Sequence, residues 1–165
     1  MRKIGTFRTI FLIGVFCGGI GVGDASAQSV PQGDPSKRLI GTWRLVFITV
    51  DGQVDPNRGP RPTGLIYYDA NGYMAAQIMP DRPRPKYAGT SPTPDEAKAA
   101  ITGYTAYFGT YTIDEQARTV THHRTGNINP GALAVVVRRY EFVSDNLVIL
   151  RPLETKSLLT WERIK

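Results

Sequence analysis

From residue 39 onward the chain is largely a succession of strand-length runs bounded by turn residues, and the apolar, β-branched first run is too short for a membrane span. The first run, Leu39-Ile-Gly-Thr-Trp-Arg-Leu-Val-Phe-Ile-Thr-Val50, sets the pattern. Alternation puts Gly41, Trp43, Leu45 and Phe47 on one face and Ile40, Thr42, Arg44, Val46 and Ile48 on the other. The second face is mixed, so the first is expected to be buried. Further strands are read at 63–68, 72–79, 104–113, 119–125, 132–143, 147–151 and 157–164. That makes eight, at spacings that suit a closed antiparallel barrel, and closure removes the exposed edge that a long first strand would otherwise present.

Two connections break the rhythm. Asp51-Gly52 signals a turn, but the proline-bearing stretch 53–62 predicts a long loop rather than a tight hairpin. Residues 80–94 are proline-rich and have little to pack, so a surface excursion is expected there. Thr93-Pro94-Asp95-Glu96 follows with an N-cap, a proline at the first helical position and a glutamate three residues after the cap. This predicts one short helix over 95–102, inserted between strands 3 and 4. Loop and helix together read as a flap over one barrel end.

The first 27 residues have the pattern of a secretory signal peptide. Arg2, Lys3 and Arg8 precede an apolar run, and Ala25-Ser26-Ala27 ends it. Phe16 before Cys17 disfavours lipidation, since a small residue is needed there. Cleavage near Ala27 and a periplasmic or secreted location are therefore expected, with no integral membrane span. Residues 28–38 read as a flexible arm, and 39–165 as the barrel domain. Cys17, the only cysteine, would leave with the leader, so neither a disulfide nor a thiolate ligand is expected in the mature chain. The formal charge is +6, and the leader carries three bases and one acid, so +4 remains. These charges are scattered, which favours ordinary surface charge over a nucleic-acid partner.

Four pieces recur in order: Gly41-Thr-Trp43, then Gly72-Tyr-Met-Ala-Ala-Gln-Ile-Met79, Ala106-Tyr-Phe-Gly-Thr-Tyr111 and Thr119-Val-Thr-His-His123. Together they resemble the bacterial lipocalin-like domain family, a calycin-type barrel. The resemblance covers nearly all of 39–165. It implies an all-β, eight-stranded antiparallel lipocalin-like barrel with an interior cavity, and it implies no agreed activity. In the wider superfamily a late arginine packs across the opening tryptophan, a role that falls on Arg163 over Trp43.

Within such a barrel the chemistry-bearing residues are few. His122 and His123 alternate faces, and Val120 shares the face of His122, so His122 is expected inside. One inward histidine without cysteines makes a poor metal site, and no metal or other cofactor is expected. Tyr107 and Tyr111 share a face, with Gly109 between them leaving room for a ligand or a bend. Tyr67, Tyr73 and Gln77 are weaker candidates. Either Arg138 or Arg139 should point inward, needing a carboxylate such as Glu141 or an anionic ligand.

These residues suggest an exported protein that binds a small apolar or amphipathic ligand, with Trp43, Phe47, Tyr107, Tyr111 and His122 in the cavity wall. One alternative is a cofactor-free isomerase, cyclase or dehydratase, in which His122 moves a proton and a tyrosine such as Tyr111 stabilises charge. Another is an envelope interaction module with a filled barrel. No catalytic triad, phosphate-binding loop or paired carboxylates stand at readable spacing, which favours binding over catalysis.

Overall fold

The structure, a computed structural model, describes residues 34–165. The expected signal peptide, its cleavage point and Cys17 lie outside the described residues, as does most of the predicted arm. The last part of that arm is helical: α1 (Pro35–Leu39) precedes the first strand and ends on Leu39, which is fully buried.

The strands are β1 (Gly41–Val50), β2 (Gln53–Val54), β3 (Thr63–Tyr68), β4 (Tyr73–Met79), β5 (Thr105–Asp114), β6 (Thr119–Asn127), β7 (Val135–Ser144), β8 (Leu147–Pro152) and β9 (Ser157–Arg163). Each pairs antiparallel with its neighbour in the order β2-β1-β3-β4-β5-β6-β7-β8-β9, and β1 also pairs with β9. Closure therefore gives an eight-stranded barrel, as expected. β2 is an addition outside that count, paired only through Thr49–Val54 and Val50–Gln53. Asp51 and Gly52 both take positive φ (52° and 75°), the backbone a two-residue hairpin requires. The Asp-Gly signal thus does form a tight hairpin, and the long loop begins only after it. With β2 counted, the single inserted helix, α2 (Pro94–Ile101), lies between β4 and β5 rather than between strands 3 and 4.

Alternation builds the wall. Ile66 and Tyr68 on β3, Met74, Ala76 and Ile78 on β4, and Val148 and Leu150 on β8 are buried while their neighbours are not. β1 departs from it. A bulge between Leu45 and Phe47 puts two residues of β1 opposite one of β9, so Val46 and Phe47 both face outward and Ile48 turns in. Phe47, expected in the cavity wall, is 43 % exposed, whereas Ile48 is buried. An extra residue in one strand inverts the pleat beyond it.

The register places α1 and the turns after β3, β5 and β7 at one barrel end, and the loops after β2, β4, β6 and β8 at the other. The first end is packed shut by Leu39, Trp43, Tyr68, Val120, Tyr140 and Val148. Trp43 donates its indole N–H to the Leu39 carbonyl at 2.9 Å. Arg163 lies 4.2 Å above the Trp43 ring, as the family resemblance implied.

At the other end, α2 starts with the expected capping box: Thr93 Oγ1 accepts from the Glu96 N–H, and Glu96 accepts from the Thr93 N–H at 2.8 Å. Glu96 also accepts from the Ala88 N–H at 2.9 Å, and these backbone donors, that of Thr93 foremost, lower its carboxyl from the usual value. The proline-rich loop folds back on the helix. Arg82 donates to the Ala99 and Thr102 carbonyls and Arg84 to Ala100, satisfying acceptors that the last helical turn leaves free.

Candidate functional site

Four polar side chains, Tyr68 from β3, Tyr107 from β5, His122 from β6 and Arg138 from β7, meet inside the barrel. All four are buried. The Tyr68 hydroxyl lies 2.8 Å from His122 Nε2, and that of Tyr107 lies 3.1 Å from His122 Nδ1. Arg138 donates through Nη2 to the Tyr107 oxygen at 3.3 Å and through Nη1 to the Val136 carbonyl at 3.4 Å. The imidazole is thus held between two phenols, with a guanidinium behind one of them.

Burial holds the His122 imidazole well below its ordinary near-neutral value, and Arg138, Arg124 and His123 push it further the same way. It is therefore neutral, with one N–H and one acceptor nitrogen. Burial likewise pushes the Tyr68 phenol well up, with Tyr107 adding to this and Arg138 opposing it.

Hydrogen-bond accounting assigns the tautomer. Among the described residues the Tyr68 hydroxyl has His122 Nε2 as its sole partner, so its proton is satisfied only if it donates to that nitrogen. Nδ1 then carries the proton and donates to Tyr107. The Tyr107 oxygen now accepts from both His122 and Arg138, which leaves its own O–H free to point elsewhere. Tyr107 is one of the residues that line the space above.

That space is a cavity of about 720 Å³, open at the α2 end of the barrel. Its walls include Ile66, Ile78, Val136, Leu150, Leu159 and Trp161. Polar groups converge from the loops and the wall. Arg58 pairs with Asp55 at 3.0 Å and donates to Thr105 at 2.9 Å. Arg124 lies 4.4 Å over the Tyr107 ring and donates to the Leu133 carbonyl at 3.2 Å. Burial lowers the Arg124 guanidinium from its usual value, with Arg138 adding to this and Tyr107 and Glu154 opposing, yet arginine stays charged. Ile101 and Thr102, where α2 ends, border the cavity, but no residue of the proline-rich stretch 80–94 does: Arg82 and Arg84 hold that stretch against α2 instead, so the expected flap is reduced to the end of the helix.

Of the five residues expected in the cavity wall, only Tyr107 borders the cavity. His122 points inward as expected but lies behind Tyr107. His123 points outward, near Thr112 at 3.1 Å. Trp43 belongs to the packed end. Tyr111 is half-buried at that same end, donating to the Asp69 carbonyl at 2.7 Å and meeting Tyr68 edge-on. Phe47 faces outward because of the bulge. Tyr67, Tyr73 and Gln77 are all on the outer face, and Tyr68 takes the inward place beside them.

Gly109 makes room for backbone, not for a ligand. A Cβ there would stand 1.9 Å from the His123 carbonyl oxygen, at a second bulge between β5 and β6. Of the arginine pair, Arg138 is inward and Arg139 exposed, but Glu141 pairs with Arg151 outside the barrel at 2.7 Å. Arg58, Arg124 and Trp161 were not singled out by sequence. Parity within a strand does place Trp161 on the same face as Leu159, whereas only folding brings the two arginines to the cavity. Among the described residues no group of three His, Cys, Asp or Glu could hold a metal ion. No helix there is long and apolar enough to cross a membrane.

No curated protein matches the chain. Among solved structures, a DUF4847 family protein from Bacteroides vulgatus ATCC 8482 is similar at 15 % identity, with 77 % of this chain and 94 % of that one covered and a TM-score of 0.41. The model of the lipocalin-like domain matches residues 40–164, the span from the residue before β1 to the one after β9. With that match over the whole barrel, the chain belongs to the lipocalin-like domain family.

Proposed function

We propose that this protein is an exported binder of small amphipathic molecules, with the ligand held in the barrel cavity. The observation that carries the reading is the open cavity of about 720 Å³, whose wall combines aliphatic side chains with converging polar and charged groups, the form of a small-molecule site. A barrel filled by its own side chains would leave no such space. Catalysis by His122 is disfavoured by geometry: both ring nitrogens are engaged by tyrosines, and Tyr107 stands between the imidazole and the cavity. Export rests on the leader-like first 27 residues.

Native mass spectrometry of the protein recovered from its own cells without detergent tests both parts. A mass excess that disappears on denaturation supports the binding reading, and an N-terminus at Gln28 supports export. A bare mass, together with no uptake from an extract of the same cells, would overturn the first. An intact Met1 on the recovered protein would overturn the second.

A further inference from the structure

We propose that the cavity takes a carboxylate-bearing amphiphile, its acid group lodged against Arg124, Arg138 and the Tyr107 hydroxyl and its apolar body along Ile66, Leu150 and Trp161. This rests on the cavity being a binding site and names its ligand class.

The charges around the cavity do not balance. Three arginines, Arg58, Arg124 and Arg138, face two carboxylates: Asp55 is used by Arg58, while Glu154 accepts from the Val137 N–H at 3.3 Å and acts on Arg124 from beyond ion-pair distance. Among the described residues no carboxylate lies within ion-pair distance of Arg124 or Arg138. Arg138 is 93 % buried by the complement of its 7 % exposure, and a buried cation without a counter-charge is costly.

The hydrogen-bonding groups are equally one-sided. Among the described residues Arg58 Nη1, Arg124 Nε and Trp161 Nε1 are buried without a partner, and all three are donors on residues that line the cavity. The His122 tautomer turns the Tyr107 proton into a fourth. A site that offers donors and positive charge calls for an acceptor-only anion. Guanidinium groups match the planar, two-oxygen edge of a carboxylate, and the apolar walls exclude a small fully hydrated ion as the natural occupant.

Decanoate and decan-1-ol share a tail and differ at the head, so titrating each into the full protein while following tryptophan fluorescence isolates the head group. Trp161 borders the cavity and provides the signal. Hydrogen bonds to charged groups of this kind favour decanoate by about 10- to 100-fold. Arg138→Met is expected to reduce that preference severalfold. Arg124→Gln, on the less buried arginine, should reduce it, and it serves if the first variant does not fold. Equal affinities for the two probes in the unaltered protein would overturn the carboxylate proposal and leave the cavity reading standing. Binding of neither would remove the cavity reading and the proposal with it.

Discussion

The guanidinium of Arg163 lies 4.2 Å from the centre of the Trp43 ring and closes the packed end of the barrel. It also donates to the Ile40 carbonyl at 2.7 Å, to that of Asp145 at 3.3 Å, and to that of Arg38. Gly41, at φ +127°, lets the chain pass beneath it; a Cβ there would stand 2.8 Å from Arg163 Nη1. Arg163→Met should therefore destabilise the fold by about 1–3 kcal/mol, through the cation–π contact and the freed carbonyls. Urea unfolding measures this. Because the cavity lies at the other end, ligand affinity should not change, and a change would contradict the separation of the two ends.

The β1 bulge makes a prediction that plain alternation reverses. Ile48→Ala should cost about 2–5 kcal/mol by emptying a core position. Phe47→Ala should cost only about 0.5–1 kcal/mol, as expected of a substitution on the outer face. Thermal unfolding of the two variants decides between the registers. A larger loss at Phe47 would mean that the bulge is absent in solution.

The tautomer of His122 is open to direct measurement. Nitrogen NMR of the free protein should show Nδ1 protonated and Nε2 as the acceptor. Tyr68→Phe then leaves Nε2 buried without a donor, at a cost of about 1–3 kcal/mol. A protonated Nε2 in the unaltered protein would show that the Tyr68 proton finds another partner.

The lowered His122 value fixes the sign of one pH dependence. The native state holds the imidazole neutral, while the unfolded chain takes up a proton below its ordinary value of about 6.5. Above that pH neither state is protonated and His122 contributes nothing to the slope. As pH falls from about 6.5 toward 5, stability should drop by up to about 1.4 kcal/mol per pH unit from this group. Denaturation curves across that window should steepen in the unaltered protein and flatten in His122→Gln. An identical slope in both would assign the dependence to other groups.

The residue order alone determined the strand count of the barrel, the capped helix and the inward choice of His122 over His123. Each follows from local rules: period-two alternation, and turn and cap chemistry. The placing of Arg163 over Trp43 came from the family resemblance, not from a local rule. The residue order also showed that one of Arg138 and Arg139 must point inward, but not which. What it could not supply was decided by pairing between distant strands. The β1 bulge is a mismatch with β9, more than a hundred residues away, and it moved Phe47 out and Ile48 in. The depth of each inward side chain depends on barrel stagger, which set Trp43 and Tyr111 in the packed end, placed His122 behind Tyr107 and gave Trp161 a cavity wall. Arg58 and Arg124 reach the cavity from a loop and a bulged strand, where local periodicity carries no information. Local preference fixes which way a residue of a regular strand points; only closure of the sheet decides what it meets there.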